Sequence, residues 1–170
     1  MDQLLYAIQY MIGLRKLELY NFKDHLLVPH LLLLLQGHCA GLERLTIKSD
    51  SSITPDQLSE QVARCSNLHT LHIYKSTCTS DAALVELARS CPHLQTVTLI
   101  FSSSEVTEEG VLELALHCRQ LRELVLLGTT LSKETVSQLV QHCRRLTSLY
   151  VRNTTARHPE CFSSNEIRAL

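Results

Sequence analysis

Glycine is scarce in this chain, five in 170 residues, and none stands in Gly-x-x-x-x-Gly-Lys, Gly-x-Gly-x-x-Gly or Gly-x-Ser-x-Gly. Loops that cradle phosphate or raise a serine nucleophile need those glycines for tight turns and close backbone approach, so such chemistry lacks its framework here. Excess positive charge is missing too: 16 Lys and Arg stand against 17 Asp and Glu, a net charge of −1. A nucleic-acid partner normally demands a strongly basic face, so none is expected, and nothing favours an acidic membrane surface. No long hydrophobic run occurs. The most apolar stretch, 26–35, contains Pro29 and His30 and has about half the roughly 20 residues that a membrane-spanning helix needs. The opening Met1-Asp2-Gln3-Leu4-Leu5 has no positive flank of the kind that begins a secretory signal. Seven cysteines are present, an odd number, without a Cys-x-x-Cys pair. That argues against a disulfide framework and against zinc, and points to a reducing, cytoplasmic compartment with the nucleus as second candidate.

What the chain does have is one frame, Leu-x-x-Leu-x-Leu, written six times: Leu14-Leu17-Leu19, Leu42-Leu45-Ile47, Leu68-Leu71-Ile73, Leu94-Val97-Leu99, Leu121-Leu124-Leu126 and Leu146-Leu149-Val151. Successive copies start 25–28 residues apart. A fixed period of this length is the mark of a solenoid whose unit is one strand and one helix. Within each frame the fourth and sixth residues are aliphatic and the intervening one differs, which is the period of a strand with one buried face.

Between frames the spacing becomes helical. Leu84, Leu87 and Ala88 follow Ser80; Val111, Leu112, Ala115 and Leu116 follow Thr107; Val136, Leu139 and Val140 follow Ser132. Ser80, Thr107 and Ser132 are expected N-caps, with acidic residues in the first turns to suit the helix dipole. Thr54-Pro55-Asp56-Gln57 has the form of another helix start, with a capping hydroxyl and a proline at the first helical position. Cys39, Cys65, Cys91, Cys118 and Cys143 each stand three residues before the next frame, and Met11 holds the same place before Leu14. One buried slot, where a helix returns to a strand, explains all six, with Cys acting as a small hydrophobe.

Val106-Thr107-Glu108-Glu109-Gly110-Val111-Leu112-Glu113-Leu114-Ala115-Leu116-His117-Cys118-Arg119-Gln120-Leu121-Arg122-Glu123-Leu124-Val125-Leu126 resembles the consensus unit of the cysteine-containing leucine-rich repeats of F-box/leucine-rich-repeat proteins, and Cys91-Pro92-His93-Leu94 resembles its helix-to-strand return. The likeness covers roughly residues 11 to 155. It implies an α/β leucine-rich-repeat solenoid, a horseshoe with a parallel sheet of about six strands on the concave face and helices on the convex face. Residues 1–155 would form about six repeats, and 156–170 a loop and the start of a further repeat or tail. The family's ninth frame position, often Cys or Asn, is here Phe22, Asp50, Ser76, Ser102, Thr129 and Thr154, five of them small and able to hydrogen-bond. No F-box is recognisable in these residues; the first 13 read as the tail of a helix. Because neither end reads as the polar cap a solenoid needs, the chain is expected to be a piece of a larger repeat protein.

The odd frame positions face away from the buried leucines. The third positions are Lys16, Arg44, Thr70, Thr96, Glu123 and Ser148, and the fifth are Glu18, Thr46, His72, Thr98, Val125 and Tyr150. The seventh are Tyr20, Lys48, Tyr74, Ile100, Leu127 and Arg152. From these sets Tyr20, Lys48, His72, Tyr74, Ile100, Val125, Leu127, Tyr150 and Arg152 are the candidate partner-binding residues, since exposed apolar clusters with tyrosine mark interaction sites. Strand propensity alone would also favour such residues. His38-Cys39, His117-Cys118 and His142-Cys143 look like nucleophile–base or metal pairs, but repeat register explains them better, with each histidine at a helix C-terminus. His158-Pro159-Glu160-Cys161 is a weak candidate for a reactive loop.

The expected function is therefore a non-catalytic protein-recognition module with no cofactor, metal or catalytic residue. The resemblance implies the substrate-recruiting arm of an SCF-type ubiquitin ligase, serving ubiquitin-dependent degradation, with the ligase adaptor bound through a region outside this segment. The alternative is a leucine-rich scaffold or regulatory domain, of the immune-sensor or GTPase-regulator type, with no ubiquitin role.

Overall fold

A computed structural model describes residues 13–20, 39–48, 62, 64–76, 80–101, 106–152 and 160–162. Met11, His38, the 54–57 helix start and His158 lie outside the described residues.

Every frame forms a strand at its third to seventh positions. These are β1 (Lys16–Tyr20), β2 (Arg44–Lys48), β3 (Thr70–Ser76), β4 (Thr96–Phe101), β5 (Glu123–Leu127) and β6 (Ser148–Arg152). They lie side by side in sequence order as one six-stranded parallel sheet. Parallel neighbours need long crossover connections, and in the later part of the chain these contain the helices α1 (Asp81–Ser90), α2 (Glu108–His117) and α3 (Lys133–His142). A short 3-10 turn, Cys39–Gly41, precedes β2. The protein is thus α/β, with three helices among the described residues.

Register follows the frame without slippage: Leu17, Leu45, Leu71, Val97, Leu124 and Leu149 align across the six strands, as do Leu19, Ile47, Ile73, Leu99, Leu126 and Val151. All but Leu17 are buried, and they merge with Leu84, Leu87, Val111, Leu114, Val136 and Leu139 of the helices into one core. A one-residue slip would turn a whole strand's aliphatics away from that core, which is why the register holds.

The entry to each strand repeats one hydrogen-bond device. The Arg15 carbonyl accepts from both Glu43 and Arg44 N–H, and the Glu43, His69, Gln95 and Arg122 carbonyls do the same for the following unit. Before each entry, the cysteine carbonyl accepts from the first leucine of the frame, as from Leu121 N–H to Cys118 O at 3.0 Å. The cysteine slot is real: Cys39, Cys65, Cys91, Cys118 and Cys143 are all buried and none is in a disulfide. Three thiols point back one unit. Cys91 donates to the carbonyls of Val62 and Cys65, Cys118 to those of Ala88 and Cys91, and Cys143 to those of Ala115 and Cys118, at 3.3–3.8 Å.

Ser80, Thr107 and Ser132 are N-caps, their hydroxyls accepting from Ala83, Glu109 and Thr135 N–H. The helical stripe of α2 corrects the sequence reading. Gly110, Val111, Leu114 and Ala115 are its buried residues; Leu112 is half-buried and Leu116 is 37% exposed. Five of the six residues 111–116 are apolar, so spacing alone allows two stripes, and packing of the small Gly110 against α1 selects the other one.

A seventh strand, β7 (Glu160–Phe162), pairs antiparallel with β6. It falls within the stretch 156–170 read from sequence as loop and the start of a further unit. Among the ninth frame positions, Thr129 is buried and its Oγ1 donates to Val106 O at 3.1 Å, so there a hydroxyl does satisfy a turn carbonyl. Phe22, Asp50, Ser102 and Thr154 lie outside the described residues.

Candidate partner-binding face

Alternation along a strand sends the odd frame positions to the sheet face opposite the core. Register then turns three scattered sets into three continuous rows. The seventh-position row runs Tyr20, Lys48, Tyr74, Ile100, Leu127, Arg152 across β1 to β6. The fifth-position row runs Glu18, Thr46, His72, Thr98, Val125, Tyr150, and the third runs Lys16, Arg44, Thr70, Thr96, Glu123, Ser148. Neighbouring strands lie about 4.8 Å apart, so six strands give a surface on the order of 24 Å across.

All nine candidate residues lie on this one face. Tyr20, Lys48 and Arg152 are exposed, with Tyr20 at 50%, while His72, Tyr74, Ile100, Val125, Leu127 and Tyr150 are half-buried. Ile100 pairs with Tyr74 on one side and Leu127 on the other, and Val125 pairs with Tyr150, so the apolar members are contiguous. Thr46 and Thr98 of the middle row are buried beneath their neighbours and add hydroxyls to the floor more than to the surface.

Charge is unevenly spread. Lys16 pairs with Glu18 at 2.9 Å, and Arg15 beside the face pairs with Glu43 at 2.5 Å; both pairs are solvent-exposed. Among the described residues, no carboxylate forms an ion pair with Arg44 or Lys48. Arg44, outside the nine candidates, shares this face with Lys48 by alternation along β2. It lines a depression of about 400 Å³ together with Glu43, His69, Thr70, Gln95 and Thr96.

His72 is the half-buried polar centre of the face. Its ring stacks on Tyr74 with centroids 6.1 Å apart, and its Nδ1 is buried without a hydrogen-bond partner. Desolvation, then the Arg44 charge, pushes its pKa down against the weaker pull of Glu123 and Glu18. The imidazole is therefore neutral at physiological pH.

The apparent nucleophiles have another role. Burial pushes the Cys91, Cys118 and Cys143 thiols up to about 12, and Cys65 is likewise raised by its hydrogen bond with Cys39 and by burial. The Cys91, Cys118 and Cys143 thiols are protonated and directed at backbone carbonyls, and Cys39, whose pKa is lowered by its hydrogen bond with Cys65, is buried, whereas a nucleophilic cysteine needs an accessible thiolate. His117 ends α2, where its Nδ1 lies 3.0 Å from Glu113 O and 3.7 Å from the Glu113 carboxylate. His142 ends α3. Among the described residues, no group of three or more His, Cys, Asp or Glu could hold a metal ion, and no helix is long and apolar enough to cross a membrane.

A second concavity lies on the helix side, between α1, α2 and α3. It has about 490 Å³, with Val85, Leu112 and Leu116 among polar residues that include Asp81, Arg89, Glu109 and His142.

No protein-family model matches this chain. Among curated proteins, it is 33% identical over 121 residues to Antagonist of mitotic exit network protein 1 of Eremothecium gossypii. That alignment takes in 70% of this chain and 30% of the relative, so the similarity concerns a minor part of the relative's length.

Proposed function

We propose that this chain is a non-catalytic protein-recognition module: a leucine-rich-repeat solenoid whose parallel sheet forms the concave side of a horseshoe and binds a protein partner. The observation that carries the reading is the alignment of the odd frame positions into three unbroken rows across six strands. A long face of contiguous half-buried Tyr, Ile, Val and Leu flanked by charge has the chemistry of a protein interface: an aromatic and aliphatic centre with a polar rim. The five cysteines support the repeat reading, since all serve the return from one unit to the next.

Within this reading we favour the substrate-recruiting arm of an SCF-type ubiquitin ligase, on the likeness of residues 106–126 to the F-box/leucine-rich-repeat unit. The second reading, a regulatory repeat domain without a ubiquitin role, draws on the relative, whose name describes an antagonist of a mitotic exit network. Co-purification of the ligase adaptor with the full-length gene product separates the two: adaptor recovered supports the first, and its absence from otherwise intact complexes supports the second. For the face itself, the test is a pull-down comparing wild type with Tyr74→Ala plus Leu127→Ala. A folded double variant that keeps its partner rules the face out.

A further inference from the structure

Binding residues on this face are sorted along the strands as well as across them. β3 presents Thr70, His72 and Tyr74 outward in turn. Beside Thr70 stand Arg44 on β2 and Thr96 on β4; beside Tyr74 stand Lys48 and Ile100, with Leu127 one strand further. One end of the β3 track is thus a polar depression with a cation and two hydroxyls, and the other end joins Tyr74, Ile100 and Leu127 into an apolar stretch edged by Lys48. The two ends are four residues apart on the strand, about 13 Å at 3.3 Å per residue.

The polar end suits an anionic side chain. The Arg44 guanidinium is exposed and without an ion-pair partner among the described residues, and Thr70, Gln95 and Thr96 line the same depression of about 400 Å³. Glu43 also lines it, but its carboxylate is held by Arg15 at 2.5 Å. Across the three rows, Lys16, Arg44, Lys48 and Arg152 face only Glu18 and Glu123, so the face is positive although the chain's net charge is −1. Midway, the half-buried His72 ring stacks on Tyr74.

We propose that the partner presents an extended acidic segment that lies along β3. Its carboxylate seats between Arg44, Thr70 and Thr96, its backbone meets His72, and a large apolar side chain four residues away packs on Tyr74, Ile100 and Leu127. This rests on the sheet-face reading above and adds the chemistry of the occupant. The separation of about 13 Å matches four residues of extended chain, because an extended peptide advances about as far per residue as the strand beneath it. An Arg–carboxylate pair with added hydroxyl donors gives specificity, while the apolar end supplies most of the desolvation.

Fluorescence anisotropy with labelled degenerate peptide pools tests this on the full-length protein. The pools are Asp-x-x-x-Leu in both chain directions, Lys-x-x-x-Leu, Asp-x-x-x-Ser and the short-spaced Asp-x-Leu. The expected result is at least tenfold tighter binding of Asp-x-x-x-Leu than of each control pool. Arg44→Glu, with an unchanged circular dichroism spectrum, is expected to abolish or reverse the preference for Asp over Lys. Equal binding of the Asp and Lys pools, an Arg44→Glu variant that keeps the preference, or no binding to any pool overturns the acidic segment. If the Tyr74→Ala plus Leu127→Ala variant loses every pool that wild type binds equally, the face stands and the acidic occupant alone falls. If that variant binds all pools as wild type does, the face falls with it.

Discussion

Each leucine of the frame has one task, and losing its side chain leaves a hole that the aligned neighbours above and below cannot close. Leu121 and Leu124 are fully buried, so Leu124→Ala is expected to cost about 2–5 kcal/mol in chemical denaturation. The cysteines are equally structural. With thiols buried and pushed up to about 12, Cys91, Cys118 and Cys143 should resist iodoacetamide in the native protein and react only after denaturation, as peptide mapping would show. Rapid native labelling at Cys118 would contradict this. At this scale the sequence was highly legible, because a buried slot leaves the same residue at the same register each time. It was less legible for Leu112 and Leu116, where apolar residues at almost every position of α2 left burial to be decided by Gly110 and α1.

Between helices, a second ladder joins consecutive units, and sequence reasoning saw only half of it. The acidic first residues of α1 and α2 suit their own helix dipoles. In the structure each also clamps the N-cap of the next helix. The Asp81 carboxylate accepts from Thr107 N–H at 2.8 Å and Thr107 Oγ1 at 2.6 Å. Glu108 accepts from Ser132 N–H, from Ser132 Oγ at 2.9 Å and from Thr135 Oγ1 at 2.5 Å. The two clamps differ by one methylene, and the third residue of the following helix differs with them. The shorter Asp81 draws α2 so close that a Cβ on Gly110 would lie 2.2 Å from Asp81 Oδ1, whereas the longer Glu108 leaves room for Thr135 and uses its hydroxyl. A link across 24 to 27 residues between one acid and one hydroxyl has no local signature, so it emerges only once the helices stand side by side.

This arrangement inverts an ordinary rule. Gly→Ala inside a helix normally stabilises by about 1 kcal/mol. Gly110→Ala should instead destabilise in the wild-type background and destabilise less once Asp81→Ala removes the carboxylate, with the Asp81 Cα still 3.1 Å from the added Cβ, a coupling that a thermodynamic double-mutant cycle would detect. The Glu108 clamp carries a pH signature. Its hydrogen bonds, first that from Thr135 and then those from Ser132, hold its pKa below the ordinary value. A depressed carboxylate contributes stability that is fully present above the unfolded pKa, about 4.3, and is lost as pH falls through the lower folded value. The melting-temperature gap between wild type and Glu108→Gln should therefore be constant near neutrality and narrow on acidification below about pH 4.3. A gap that widens toward acid would contradict the clamp.

At the scale of the whole molecule, one fact connects sequence to surface: register holds at every frame position across six parallel strands, and the one shift, between Tyr74 and Ser76 on β3, falls beyond the frame. That makes the outward rows as orderly as the buried ones. The candidate residues were legible because alternation alone assigns them, whereas the depression at Arg44 and the unpartnered His72 nitrogen depend on side-chain packing between strands about 26 residues apart in sequence. The two faces of the molecule offer rival surfaces, the sheet rows and the groove of Val85, Leu112 and Leu116 between the helices. Site-specific photo-crosslinking in the full-length protein sets them against each other most directly. With a benzoylphenylalanine at Leu127 or at Leu116, the account predicts partner adducts from position 127 and none from 116. Adducts from 116 with none from 127 would contradict it.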